Sequence, residues 1–251
     1  MLNEDAVFVN RLYDLAEQAC KTGKYRFTGF LGLHEQNLLL REQQKLSFAG
    51  LTLFGGCEDA ERRMARFGCE EICGYEQPFP IDLLRLTPRS QKYADALTHR
   101  DVLGALMGLG IERSCVGDIY IKDNIAFVFV VGQMRDLVCR ELSSAKHTVL
   151  DCEVLDALPA GVGTALRQEA FLVASERLDC IVAAVFNLSR EAASQLFAHE
   201  KVFVDGKIMQ GSRTAPENAV ISVRGFGRLR YGGVESVSRK GKPRVTVWIY
   251  E

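Results

Sequence analysis

Apolar residues at three- and four-residue steps alternate along this chain with short runs of period two, and the two rhythms predict a mixed fold. Val7, Leu12, Leu15, Ala16 and Ala19 fall on one side of a helix over 3–22, which ends in the segment Lys21 to Lys24. A glycine-punctuated connection over 25–33 leads to a second helix over 34–46, a short strand over 51–54 and, after Gly55 and Gly56, a third helix over 58–67. Pro78 and Pro80 mark a boundary. Beyond them come a strand over 81–86, a helix over 99–109 with Gly110 as its C-terminal cap, and strands over 116–121 and 126–131 around Lys122, Asp123 and Asn124. A helix over 133–142 and a strand over 148–155 complete the set.

That middle order is β-α-β-β-α-β, the ferredoxin-like unit, which RNA-recognition motifs share. Their signature strand needs a basic residue and a glycine ahead of spaced aromatics. Here Ile125 and Ala126 stand at that entry, so Phe127 and Phe129 read as core. Pro159, Gly161 and Gly163 suggest a linker, and 167–174 reads as a short helical lead into a last module.

The module from Ser175 to Gly206 carries the densest signals. Ser175 is an N-cap candidate for a helix whose apolar face is Leu178, Ile181, Val182 and Val185. Asn187 closes that helix, and Ser189 caps a second one with Ala193, Leu196 and Phe197 as its stripe. Val202, Phe203 and Val204 are β-prone, and Asp205-Gly206 is a turn. Arg177, Arg190 and Lys201 stand at the two helix starts and the mouth of the strand. A guanidinium beside the partially positive end of a helix favours an anion such as phosphate. After Lys207, a strand over 220–223 leads to Arg224, Arg228 and Arg230. Residues two apart on a strand share a side, so these three form one basic row unless the glycines between them insert a bulge. A flexible hairpin arm over 232–242, with Arg239, Lys240 and Lys242, precedes a closing strand over 244–250.

Charge sharpens this picture. The 251 residues carry 31 basic and 32 acidic side chains, but from Ser175 onward there are 12 and 8, leaving 19 and 24 in the rest. The C-terminal module is thus +4 and the remainder −5, a polarity that points to a polyanionic partner for the module. No apolar run approaches the roughly 20 residues that span a bilayer, and the first residues carry acids without a secretory apolar core, so a cytoplasmic protein with no membrane partner is expected. The eight cysteines sit mostly in apolar segments, as reduced thiols do. Cys69 and Cys73 are spaced more widely than a zinc knuckle and no second pair follows, so no metal is expected. His99, Arg100 and Asp101 are consecutive on a helix and point about 100° apart, and His34, His147 and His199 have no nucleophilic partner in the pattern. Neither a Lys-Ser/Thr after Gly55-Gly56 nor a methyltransferase-type glycine loop is present. No catalytic residue and no small-molecule cofactor are expected.

Ser175, Arg177 to Asp179, Ser189-Arg190, Val202, Val204, Gly206 and Ile221 to Gly225 together resemble the S4 RNA-binding domain. Two positions depart from its pattern: Asp205 where Asn is usual, and Asn218-Ala219 where Gly-Asp is usual. His99 to Met107 and Gly117 to Ile119 resemble the middle domain of the bacterial YlmH-like S4-domain proteins, and Phe54 to Gly56 with Ala60 to Arg62 resemble their N-terminal domain. The resemblance implies an α+β protein with an N-terminal α/β domain over 1–79, a ferredoxin-like domain over 80–157, a linker over 158–174 and an S4 domain over 175–251. It implies a non-enzymatic, ribosome-associated protein that binds structured RNA (rRNA, tRNA) and handles peptidyl-tRNA on stalled large subunits. Arg177, Ser189, Arg190, Lys201, Lys207, Arg224, Arg228 and Arg230 would then touch phosphate and ribose. The competing reading is an RNA-modifying enzyme that uses the S4 module for delivery; a third makes the first two domains protein-interaction surfaces.

Overall fold

The computed structural model describes residues 4–164, 166–239 and 241–250, so Lys240 lies outside the described residues. The fold is α+β, with antiparallel sheets in two compact units, Met1–Gly163 and Thr164–Glu251.

The first unit opens with α1 (Glu4–Thr22), β1 (Arg26–Leu31), α2 (Leu33–Leu46), β2 (Thr52–Phe54), β3 (Arg63–Phe67) and the single turn α3 (Glu70–Cys73). The strands form a three-stranded sheet in the order β1-β3-β2, and α1 and α2 pack on it through Leu12, Ala16, Leu39 and Leu46. Two expectations fail here. The 25–33 connection is a strand, and the 58–67 helix is a series of turns followed by a strand. The sequence from Glu58 to Arg66 has good helix formers, but β3 is held between β1 and β2, and pairing on both sides overrides a weak local preference.

The unit continues with β4 (Ile81–Pro88), α4 (His99–Gly108), β5 (Val116–Lys122), β6 (Ile125–Val131), α5 (Gly132–Glu141), β7 (Ser144–Ala145) and β8 (Thr148–Leu155). The sheet order is β5-β6-β4-β8-β7. Asp123 and Asn124, both at positive φ, make the two-residue turn between β5 and β6. Thr98 caps α4, and Gly110, at φ +79°, follows its last residues as expected. Helices α4 and α5 bury Val102, Leu106 and Val138 on one sheet face, against Leu84, Leu86, Val128 and Val130. The opposite face presents Leu83, Tyr120, Phe127 and Phe129, and these pack on Phe30 of β1 and Met64 of β3.

The second unit consists of β9 (Leu166–Leu172), α6 (Leu178–Val185), α7 (Arg190–Ala198), β10 (Val202–Val204), β11 (Lys207–Ile208), β12 (Val220–Val223), β13 (Gly227–Val237) and β14 (Pro243–Tyr250), in one sheet of order β11-β10-β12-β13-β14-β9. The helical lead expected over 167–174 is instead the edge strand β9, paired with β14 from Leu166–Tyr250 to Leu172–Arg244. The expected flexible arm is largely strand as well: β13 runs to Val237 and β14 starts at Pro243. Helices α6 and α7 cover one face through Leu178, Ile181, Val182 and Ala193, which meet Val202, Val204, Ile221, Val223, Leu229, Tyr231, Val245 and Val247.

Candidate nucleic-acid interface

The start of α6 differs from the sequence reading. Arg177, not Ser175, is the N-cap residue, and the Ser175 hydroxyl faces Cys180 Sγ at 3.4 Å. The first helical amides are already satisfied: Leu178 N–H donates to the Arg213 carbonyl and Asp179 N–H to that of Gly211. Arg177 Nε and Nη2 donate to the two Asp179 carboxylate oxygens at 3.0 and 2.5 Å. The hydrogen bond from Arg177 holds the Asp179 carboxyl below the usual aspartate range. This end of the helix therefore has its amides occupied and its guanidinium bound by a carboxylate.

Elsewhere on the helical side, Asn187 closes α6 at φ +52°, and the Leu188 amide returns to the Ala183 carbonyl. Ser189 caps α7 by accepting from the Ala192 amide at 3.1 Å. Arg190 reaches toward Cys180 Sγ at 3.8 Å. Lys201 is exposed where β10 begins, and its carbonyl accepts from the Arg224 amide. Lys207 stands opposite Val204 across the Asp205-Gly206 turn. Asp205 takes the place of the usual Asn without leaving an idle charge, because its Oδ1 accepts from Val220 N–H at 2.8 Å.

Strand alternation sends a different set to the helix-free face. Cross-strand partners share a face. Phe203 pairs with Ser222 and Ser222 with Arg228, in one row; Val220, Arg230, Trp248 and Gln168 form the next. The β13 irregularity begins after Tyr231, at Gly232 and Gly233, so Arg228 and Arg230 keep the same side. The Arg228 guanidinium lies 4.9 Å from the Tyr250 ring centre, and Arg224 lies 4.7 Å from that of Phe203. Arg228 Nε donates to Ser222 Oγ at 3.1 Å, and Arg230 Nη2 to the Tyr250 hydroxyl at 3.4 Å. The eight basic and polar residues singled out from sequence thus divide. Arg224, Arg228 and Arg230 belong to this sheet face, and Ser189 and Arg190 stay with the helices on the other. Phe203, Trp248 and Tyr250 were not singled out, although Val202 and Val204, like Val245 and Val247, alternate with them and face inward.

In the first unit, the segments that carry the resemblance to the N-terminal and middle domains meet each other. Asp118 Oδ2 accepts from the Glu61 amide at 2.6 Å and Oδ1 from that of Arg62 at 3.2 Å, and the Tyr120 hydroxyl donates to Oδ2 at 3.2 Å. Burial raises the Asp118 carboxyl above its ordinary value. Arg62 donates to the Phe30 and Val116 carbonyls, and Arg113, lowered by burial to about 10, also bonds the Val116 carbonyl. Gly56 lies against Phe129 so closely that a Cβ there would stand 2.3 Å from a ring carbon. These residues form a latch between the layers. A cavity of about 130 Å³ beside them, lined by Phe8, Arg11, Glu35 and Glu112 among others, is well below the roughly 300 Å³ at which small-molecule sites begin. Among the described residues no cluster of His, Cys, Asp and Glu is arranged to hold a metal, and no helix is long and apolar enough to cross a membrane.

Residues 75–157 match a family described as "Putative RNA-binding domain in YlmH". Ribosome-associated protein quality control protein P2 of Bacillus subtilis (strain 168) is 29% identical over an alignment that covers 97% of this chain and 94% of that protein. The solved structure of cell division protein ylmH from Streptococcus pneumoniae aligns with 62% of this chain and 93% of its own, at 18% identity and a TM-score of 0.49.

Proposed function

We propose that the chain is a YlmH-like protein and a non-enzymatic RNA-binding factor of the ribosome, a reading supported by the family match and the Bacillus relative. In this reading its second unit is an S4-type module and residues 81–155 are a ferredoxin-like domain, consistent with the strand order in which β4 lies between β6 and β8. It acts in the cytoplasm on stalled large subunits that carry peptidyl-tRNA. The name of the Bacillus relative supports the ribosomal setting and the family description supports RNA.

The observation that carries the reading is the set Arg224, Arg228 and Arg230 on one face of a module with net charge +4. Lys201, beside Arg224, extends it, and Lys207, Ser189 and Arg190 offer contacts from the helical side. Arg177 is assigned to holding the start of α6 through Asp179. Contacts of this kind read the phosphate–ribose spine and its shape more than base sequence, which suits folded rRNA and tRNA.

Sedimentation of the full chain with purified ribosomal subunits tests this. The protein should travel with large subunits and should remain at the top of the gradient when Arg224, Arg228 and Arg230 are replaced by Glu. An unchanged profile for the variant, or no association of the parent protein with either subunit or tRNA, overturns the assignment.

A further inference from the structure

We infer that the helix-free face of the C-terminal sheet binds unpaired nucleotides by stacking, with Phe203, Trp248 and Tyr250 as the stacking surface and Arg224, Arg228 and Arg230 as its charged frame. The inference rests on the RNA-binding reading above and adds a substrate class to it: single-stranded segments, in addition to the folded backbone.

Three observations converge. First, the aromatics and arginines are interleaved on adjoining rows. Phe203, Ser222 and Arg228 share one row, Arg230 and Trp248 pair in the next, and the Arg228 guanidinium packs on Tyr250. Groups that bind single strands without sequence preference combine these same elements, a π-surface for each base and cations that follow the phosphates. Second, the surface is fixed in place before any ligand arrives. The Trp248 indole lies over Gly232, where a Cβ would come within 2.5 Å of a ring carbon, and Ser222 and Tyr250 hold Arg228 and Arg230 by hydrogen bonds. Rigid aromatic and guanidinium planes lose little conformational freedom on binding. Third, the core packed against α6 and α7 lies on the opposite face, with Val220 as a buried residue on this one. Val202, Val204, Ile221, Val223, Leu229, Tyr231, Val245 and Val247 already fill the opposite face against α6 and α7, while Phe203, Trp248 and Tyr250 remain partly exposed. Acidic groups are sparse on the two rows: neither contains Asp or Glu. Glu235, farther along β13, lies beside Arg244 and Thr246.

The chain contains one tryptophan, so its fluorescence reports this face alone. The experiment titrates the full-length protein with a 12-nucleotide oligouridine and, separately, with a 12-base-pair RNA duplex while following Trp248 fluorescence, and measures the affinity of Trp248→Leu and Phe203→Leu for the same RNAs, labelled at one end, by anisotropy. Quenching of the parent protein by the single strand, weaker or no quenching by the duplex, and at least about fivefold weaker single-strand binding by each variant are expected, since one stacked base contributes a factor of this size or more. The quenching needs no substitution, so a variant that fails to fold leaves the test intact. If RNA binds while the fluorescence stays constant and the variants bind as well as the parent, the stacking surface is refuted and the RNA-binding reading stands. Equal quenching by duplex and single strand also refutes it. If neither RNA binds and ribosomal subunits are not bound either, the functional reading itself fails.

Discussion

Salt dependence separates Arg224, Arg228 and Arg230 on the sheet face from Arg177 at the start of α6. Each cation that neutralises a phosphate of a single strand contributes about −0.7 to the slope of log K against log salt. Replacing Arg224, Arg228 and Arg230 by Ala removes three candidate cations and should reduce the slope by about 2. Between 50 and 200 mM salt the parent protein should then lose roughly 15-fold more affinity than the variant does. The contrasting perturbation is Arg177→Ala combined with Asp179→Asn. The two side chains are already joined by two hydrogen bonds, so removing both leaves the net charge unchanged and frees no phosphate contact. The slope should stay within about 0.3 of the parent value. Anisotropy of a labelled rRNA fragment, read from 50 to 300 mM salt, measures both. A triple variant with the parent slope, or a double variant that loses as much slope as the triple one, would refute the division into an RNA-facing sheet and a self-neutralised helix start.

Two further outcomes concern stability. Phe129 is buried between the central sheet and the N-terminal layer, so Phe129→Ala should destabilise the first unit by about 3–5 kcal/mol, seen as lost amide-exchange protection in β1 and β6 while the urea transition reported by Trp248 stays in place. Asp179 titrates below its ordinary value in the folded chain, so its contribution is present above about pH 4 and lost as pH falls through the folded pKa; the Trp248 urea midpoint should drop between pH 5 and pH 3 in the parent and drop less in Asp179→Asn.

Local signals were legible in the sequence and non-local ones were not. The helices α1, α2, α4, α5, α6 and α7 and the turns at Asp123-Asn124 and Asp205-Gly206 follow from periodicity, caps and positive-φ residue types, which act within a few positions. The strands β1, β3 and β9 do not, because each is defined by partners far away: β9 pairs with β14, almost eighty residues later. The same limit applies to the site. Arg228 and Arg230 share a face by simple alternation, but the cap at Ser175 loses to carbonyls from Gly211 and Arg213, a loop that no short window includes. The Arg177–Asp179 pair also escapes helical face rules, since residues two apart on a helix do not face each other and this contact forms only because Arg177 stands outside the helix. Trp248 and Tyr250 were accessible to the alternation rule, whose inward half, Val245, Val247 and Ile249, is plain in the sequence.

The first unit has a different relation to RNA. In an RNA-recognition motif the sheet face opposite the helices stacks bases on its aromatics. Here that face carries Tyr120, Phe127 and Phe129, but they are buried against Phe30 and Met64, and α4 and α5 cover the other side. Using the face for stacking would require the N-terminal layer to part from it, against the Asp118 bonds to Glu61 and Arg62 and the close fit of Gly56 on Phe129. Several arginines at the surface of this sheet and of α5 are met by carboxylates as well: Arg85 by Glu153, Arg89 by Asp151, and Arg135 by Asp136 and Asp82, while Arg140 donates to the Asp136 carbonyl. This sheet is covered where Tyr120, Phe127 and Phe129 lie, while Arg85 of β4 stays partly exposed and Asp151 and Glu153 of β8 stay exposed, so it is closed to base stacking on those rings. Its edges and loops remain for contacts of another kind. In the reading proposed above, base stacking is therefore assigned to the second unit, where positive charge and partly exposed aromatic rings occur on one face, while any RNA contact by residues 75–157, which match the RNA-binding family description, would use those edges and loops.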